Sequence, residues 1–588
     1  MEPSSQHSSI FVDIDPPSSF DGFTISQPNS PTSQKPTTSV PPGLAAAGVF
    51  AGVKRFFDHN PSAIIRGRYT INFRQILILI MILMSVTLLW FIATHFANGV
   101  KMDRIQQQQE SADMGQDNNK LFVLPPFKPS PKDTPSAKER FERVRGKGSR
   151  TSLKTIQFKF LAESEEDRAE REMRLKAVRD GFAHAWNGYK EHAWGHDEVL
   201  PVSGGYKDNF NGWGATMIDS LDTLVIMGFN KEFDEVLDWI KTSFDMTKNP
   251  TDQLQFFETI IRYLGGLLSA YDLTGERHLL DRAEELGNYM LNAFQDRAMP
   301  ASRVAIQKSA NSGAYTFILA DVGTIQLEFT RLSTLTKNPI YDQKAQKIIQ
   351  VLGTATSPLP GLLPYLVQDG AGRQYNRFTA TVGGMADSYY EYLLKEWILL
   401  DGKAPQYKNM FETAADSMAQ YMVLRPDNGS QDYVVLGQVD SSTKAVVADM
   451  EHLACFMAGS FAMGAKYFNR PKDMTLAKQV AEGCYLSYHH STTGVGPEAM
   501  KFNLGSKTKT FVANPDTYYS RSISRSQYIL RPETLESLWI LYRLTGEKKY
   551  QDKAWEIFQS LEKSCRTPIA YSGLKDVNTP NSHDNKME

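Results

Sequence analysis

One turn recurs along the C-terminal part of the chain and constrains the fold more than any other feature. Leu273-Thr274-Gly275-Glu276 is followed by Leu279, Leu280 and Arg282-Ala283-Glu284. Leu335-Thr336-Lys337-Asn338 is followed by Tyr341 and Lys344-Ala345, and Leu544-Thr545-Gly546-Glu547 by Tyr550 and Lys553-Ala554. Leu400-Asp401-Gly402 is a looser copy. Thr274 and Thr336 lie 62 residues apart, Thr336 and Asp401 65, and Thr545 follows 144 residues later, near two such periods. A helix that ends at a glycine-type turn and is followed by a second helix explains each copy. From about residue 166 apolar residues recur at helical spacing between short polar turns. A repeat of this length holds one helix pair with its loops, and repetition at a fixed period implies an array or a closed ring of hairpins. The remaining length has room for six or seven pairs, so the pattern predicts an all-α domain with small β inserts arranged as an (α/α) barrel. An irregular α-solenoid would share the periodicity. With 41% hydrophobic residues, eight Trp, 25 Tyr and 32 Phe, the chain can fill so large a core. Three cysteines exclude a disulfide-rich scaffold, and no C-x-x-C metal pattern occurs.

The N-terminal quarter reads differently. From Gln75 to Val100 there is no Asp, Glu, Lys or Arg, and Ile76 to Met84 is wholly apolar. Such a run is long enough to cross a bilayer and lies too far from the N-terminus for a cleaved signal peptide. Residues 75–97 are therefore expected to be a transmembrane signal anchor. Lys54, Arg55, Arg66, Arg68 and Arg74 precede it, whereas Lys101 and Arg104 follow it among Asp103, Glu110 and Asp113. The excess of positive charge before the span puts the N-terminus in the cytosol. Residues 1–74 then form a cytosolic tail, disordered where Ser, Pro and Thr dominate. Residues 98–165 form a lumenal stem, and 166–588 the folded domain. Asn428-Gly429-Ser430 is a glycan acceptor usable only in the lumen. A net charge of −2 gives no reason to expect nucleic acid as a partner.

Several acids stand where acids are costly. Glu258 is the only acid in Leu254-Gln-Phe-Phe-Glu-Thr-Ile-Ile-Arg262-Tyr-Leu. A carboxyl buried among Phe and Ile would hold its proton and suit a general acid; an i,i+4 pair with Arg262 on a helix surface is the plainer alternative. Glu328 in Ile325-Gln-Leu-Glu-Phe has the same character. Asp387 and Glu391 share a helical face, although Asp387 could instead cap the helix. Glu533 and Glu536 follow Pro532 at a helix start, where acids ordinarily favour the helix dipole. Glu498 lies in a loop after Gly494-Val-Gly-Pro. Acids crowding the middle of a helical ring need a cation, water or sugar hydroxyls to be tolerable, which points to a carbohydrate or metal site. No Ser-His-Asp order, phosphate loop or zinc spacing occurs.

These segments resemble the class I α-1,2-mannosidases, glycoside hydrolase family 47. The resemblance rests on Phe182-Ala-His-Ala-Trp-Asn-Gly-Tyr, Gly212-Trp-Gly-Ala-Thr-Met-Ile-Asp-Ser-Leu-Asp-Thr-Leu, Phe257-Glu-Thr-Ile-Ile-Arg-Tyr-Leu-Gly-Gly-Leu, Ala386-Asp-Ser-Tyr-Tyr-Glu-Tyr-Leu, His452-Leu-Ala-Cys-Phe and Leu530-Arg-Pro-Glu-Thr-Leu-Glu-Ser, in that order. It implies an (αα)7 barrel that removes terminal α-1,2-mannose from oligomannose N-glycans by inverting hydrolysis in the ER or Golgi lumen. Glu258 then matches the general acid, acting directly or through water, Glu533 the general base, and Asp387 a third essential acid; the roles among the three stay open. Arg262, Glu328, Glu498 and Glu536 match sugar-contacting positions. Cys455 and Cys484 match the family's disulfide, which leaves Cys565 free. The implied cofactor is Ca2+.

Two departures qualify the resemblance. Met385 stands two residues before Asp387, where ER-type members carry Arg, and points to a broader, Golgi-like preference. The family's calcium-binding Thr lies beyond Glu588, as does its last barrel helix. On that ground the chain as written is expected to lack its metal ligand and to be unstable or inactive. A lectin-like binder of the same fold, recognising mannose without cleaving it, is the competing function, and a helical scaffold without a sugar site a third.

Overall fold

The structure, a computed structural model, describes residues 153–586 apart from 248–252, 296, 306–315, 506–508 and 513–522. The tail, the expected span at 75–97 and most of the stem lie outside the described residues. Among the described residues no helix is long and apolar enough to cross a membrane.

The helices alternate between two layers. The outer ones are α1 (Glu165–His192), α4 (Asn230–Thr242), α7 (Arg277–Met290), α10 (Ile340–Gly353), α12 (Pro405–Tyr421), α14 (Pro471–His489) and α16 (Lys549–Ser564). The inner ones are α2 and α3 (Ala215–Asp219, Leu221–Met227), α5 and α6 (Phe256–Glu258, Gly265–Thr274), α9 (Gln326–Thr336), α11 (Asp387–Leu399), α13 (Phe456–Phe468) and α15 (Glu533–Thr545). A short helix, α8 (Leu319–Gly323), precedes α9. Each inner helix packs on the outer helix that follows it, and inner helices pack on one another in chain order from α3 to α15. Because every outer helix returns the chain, the inner helices run in one direction and present their N-termini at one mouth. At Gly266 the inner layer closes so tightly that a Cβ would lie 2.5 Å from the Ile218 carbonyl oxygen.

The repeated turn has a common mechanism. Gly275, Lys337 and Gly546 each end a helix in the left-handed conformation, at φ 70°, 60° and 74°. In each copy the preceding threonine donates to the carbonyl four residues back: Thr274 to Ala270 at 2.7 Å, Thr336 to Leu332 at 2.8 Å and Thr545 to Leu541 at 2.7 Å. Each hydroxyl also accepts the backbone N–H two residues on, from Glu276, Asn338 and Glu547. Threonine therefore satisfies one orphan carbonyl of the ending helix and one donor of the turn.

The strands are short and gather where the inner helices begin. Gln253–Gln255 pairs antiparallel with Arg303–Ala305 and leads into α5. Thr316–Ile318 pairs with Leu366–Gln368 and leads into α8. Asp449–Glu451, Ala499–Lys501 and Ile523–Arg525 form a three-stranded antiparallel sheet that sets His452 beside the backbone of Glu498, the His452 N–H donating to the Glu498 carbonyl at 2.9 Å. Cys455 and Cys484 form the disulfide that the resemblance implies, with Cα atoms 6.0 Å apart, and Cys565 is free and buried. The segment before α1 packs on the helical layers: Phe158 donates its N–H to the Arg543 carbonyl, and Phe160 lies 5.1 Å from the Tyr542 ring. Asn428 of the glycan acceptor is exposed, in a turn closed by the Ser430 N–H.

Candidate active site

Glu258 ends α5, and the chain continues through a π-helical turn, Thr259–Leu264, before α6. An extra residue in a helical turn re-aims the side chains on either side of it and is frequent at functional sites. Glu258 is not stranded among the apolar residues around it, as burial alone would have it. Arg262 donates to it through Nε at 2.8 Å, and the same guanidinium lies over the Phe210 ring at 4.3 Å and 3.7 Å from Asp219. The plainer i,i+4 pairing is thus present, with the Arg262 side chain only 16% exposed rather than on an open helix surface.

Asp387 is the first residue of α11 but does not cap it. The N-cap position is Ala386, and among the described residues the Asp387 carboxylate accepts the neighbouring Ser388 N–H and hydroxyl. Burial, together with the charges of Glu391 and Glu533, pushes its carboxyl up to about 7. Met385, two residues earlier, is exposed and in the left-handed region at φ 70°, its carbonyl accepting the Ala320 N–H. Glu328, three residues into α9, accepts the Tyr392 hydroxyl at 2.7 Å, while its other oxygen is buried without a hydrogen bond. Burial pushes this carboxyl up to about 7 as well.

Glu533 begins α15 after Pro532, which occupies the N-cap position rather than the first turn. It is half-buried, but His452 donates from Nδ1 at 2.9 Å. The hydrogen bond and charge of His452, helped by Arg531, outweigh burial and hold Glu533 below the usual carboxylate range. His452 is itself fixed by Tyr488, whose hydroxyl lies 2.7 Å from Nε2. Glu498 takes both of its bonds from Arg531 Nε, at 2.7 and 2.9 Å. Glu536, one turn after Glu533, is 3.3 Å from Lys395, which also pairs with Glu391; burial raises the Glu536 carboxyl against the pull of that lysine.

Glu328, Asp387, Glu533 and Glu536 therefore sit in the first turns of inner helices, where helix dipoles favour negative charge, whereas Glu258 ends α5 and Glu498 lies in the loop before Ala499–Lys501. Asp387 and Glu533 feel each other's charge, and Glu498 and Glu533 share the influence of Arg531. Asp321, half-buried on α8 and raised to about 6 by burial and by Glu258, carries no signal in the sequence. His452, Arg531 and Tyr392 stand within the motifs of the resemblance without an assigned role, and Lys395 stands outside them. Among the described residues no group of three or more His, Cys, Asp or Glu side chains is placed to hold a metal ion. Most of the acids are taken up by protein donors, so this donor set does not fit a cation ligated directly by carboxylates.

The sequence profile of glycosyl hydrolase family 47 matches residues 181–588. A mannosyl-oligosaccharide 1,2-α-mannosidase of Arabidopsis thaliana is 37% identical over 462 residues, 76% of this chain and 77% of the relative. The endoplasmic reticulum mannosyl-oligosaccharide 1,2-α-mannosidase of Homo sapiens is 36% identical over 71% of this chain and 58% of its own length. Among solved structures, the α-1,2-mannosidase from Trichoderma reesei superposes with a TM-score of 0.66 at 32% identity, over 71% of this chain and 90% of that one. Repeat, helical layers and acid-lined mouth thus belong together: this chain is a member of glycosyl hydrolase family 47.

Proposed function

We propose that the chain is a mannosyl-oligosaccharide 1,2-α-mannosidase that trims terminal α-1,2-linked mannose from N-linked glycans with inversion. The observation that carries this reading is the opposite treatment of two acids at one mouth: Asp387 is raised to about 7 and Glu533 is held low by His452. Acids whose environments push them apart divide into proton holder and proton taker. Glu533, kept ionised, takes a proton from the water that attacks the anomeric carbon as the glycosidic bond breaks. The departing oxygen receives its proton from Glu258, directly or through one water. The raised Asp387 favours a second assignment, in which Asp387 supplies that proton. Arg262, Glu328, Glu498 and Glu536 would contact the sugar hydroxyls, carboxylates accepting and the guanidinium donating.

Calcium enters through the resemblance alone. A hard cation takes oxygen ligands and would hold sugar hydroxyls, but no step here runs through it. The charge-free run at 75–97 and the basic residues before it support a type II membrane protein with this domain in the lumen of the ER or Golgi, where N-glycans are trimmed.

The test is mannose release from an oligomannose N-glycan by the full chain in detergent, with calcium and with a chelator, following the anomer first formed by NMR. Release of α-1,2-linked mannose as the β-anomer is expected. Glycan binding without release would support the lectin-like reading, and neither would mean the chain as written is inactive. α-Mannosyl fluoride, whose leaving group needs no proton, separates the two acid assignments. Turnover of the fluoride should survive in whichever of E258Q and D387N has lost the acid, and fail in E533Q.

A further inference from the structure

The charge balance at this mouth is uneven. α11 brings Asp387 and Glu391, α15 brings Glu533 and Glu536, α9 brings Glu328, and α8 brings Asp321. Glu533 has His452 and Arg531, and Glu258 has Arg262. Glu391 of α11 and Glu536, the lower acid of α15, share one cation, Lys395. It lies two turns into α11, pairs with Glu391 on its own helix, and reaches across to Glu536 at 3.3 Å. Burial works against its charge, but Glu391 and Glu536 more than offset this and keep it protonated.

The positions of these partners are the informative part. Glu391 is one turn after Asp387 and Glu536 one turn after Glu533. Lys395 therefore joins the second tier of the two helices whose first tier carries two of the proposed essential acids. We propose that Lys395 is a positioning residue for the reaction: it clamps α11 to α15 through Glu391 and Glu536, and offsets the negative charge of these two acids one turn after Asp387 and Glu533. The inference rests on the assignment of Asp387 and Glu533 given above, and goes beyond it in naming a residue that touches neither.

The other groups facing the clamp do not replace it. From α9, Glu328 adds a buried carboxyl, hydrogen-bonded to Tyr392 of α11. From α8, Asp321 adds another carboxyl, raised by its own burial. Glu396, the next residue of α11, bonds the other way, to Thr330, and α12 brings Tyr407 to that side through Gln346. The buried residues of α13 are apolar except Ser460. An opposite charge at this range commonly shifts a carboxyl by about one pH unit or more.

The experiment is the pH profile of kcat/KM for oligomannose hydrolysis by the full chain, comparing wild type, K395M and K395R. In K395M the acid limb is expected to move to higher pH by about one unit, with the loss falling on kcat more than on KM. K395R, which keeps the charge and the reach, should restore most of the wild-type profile. A K395M profile that is lowered evenly, with its limb in place, would overturn the proposal and leave Lys395 a packing residue. The clamp is also read without turnover, from thermal unfolding of wild type and K395M across pH. Glu391 and Glu536 left without a cation should make K395M less stable at neutral pH, with a deficit that shrinks as carboxylates protonate. A pH-independent deficit would overturn the clamp itself. If wild type releases no mannose while the deficit follows pH as expected, the clamp stands and the catalytic reading fails.

Discussion

α11 and α15 begin alike and end up electrically opposite. Each opens with an acid, Asp387 or Glu533, each is preceded by a non-glycine residue in the left-handed region, Met385 at φ 70° or Leu530 at φ 65°, and each carries a second acid within one turn. Both acids lie in a low-dielectric setting that favours the neutral form. Asp387 finds, among the described residues, the Ser388 N–H and hydroxyl, and burial wins. Glu533 finds His452, and burial loses. The same local pattern thus yields a proton holder or a carboxylate kept ionised according to one donor delivered from elsewhere in the fold. That donor is itself held in place by the Tyr488 hydroxyl, 2.7 Å from Nε2 of His452.

The largest effect should come from removing the anion. E533Q keeps the shape and can still bond to His452, but cannot take a proton from water. Mannose release is expected to fall by about 10²–10⁴-fold, with oligomannose affinity by calorimetry changed little. If E533Q retained turnover, the division of roles between the two helices would be wrong. Next is the disulfide, which ties the turn carrying His452 to α14 across 29 residues of sequence. A loop of this size is worth about 3.6 kcal/mol by the chain-entropy estimate. The Cys455→Ser, Cys484→Ser double variant should unfold several degrees lower, and hydrogen exchange should rise first around 452–455.

H452A tests the comparison itself. Without its donor Glu533 becomes a second Asp387, so the acid limb of kcat should move up by about one pH unit or more and activity at low pH should drop. An unmoved limb would mean that Arg531 and the dipole of α15 suffice to hold Glu533 ionised.

How far this could be read from the sequence depended on how local each cause is. The helical hairpins were legible because their turns are local chemistry: Thr274, Thr336 and Thr545 bond within four residues of themselves. Lys337 shows the limit of the rule, taking the left-handed position that glycine fills in the other two copies. The pairing of Glu258 with Arg262 was legible for the same reason, being one helical turn. The states of Asp387 and Glu533 were not. His452 lies 81 residues from Glu533, and Arg531 reaches 33 residues to Glu498. Asp321 sits in an unremarkable Leu-Ala-Asp-Val and becomes notable only when α8 is buried beside Glu258. The membrane span rests on charge-free length alone, since residues 75–97 lie outside the described part of the chain.

The smallest effect separates the two acids without any substrate. Asp387 has a folded value raised above the ordinary carboxylate one, so its contribution to stability is full below about pH 4 and is lost as pH rises through about 7. Asparagine cannot ionise and does not suffer that loss. From pH 4 to 8 the unfolding temperature of D387N should therefore gain on wild type, by a few degrees for so large a domain. Glu533 has the opposite sign. Its depressed value means stability that is present above the unfolded carboxylate range and lost as pH falls, so E533Q should lose ground to wild type as pH rises from 3 to 6. Two acid-to-amide changes at equivalent positions of two inner helices should thus give stability differences with opposite slopes against pH. Parallel slopes would mean that the tertiary donors do not divide the pair, and that the acid and base must be sought among Glu258 and the remaining carboxyls of the mouth.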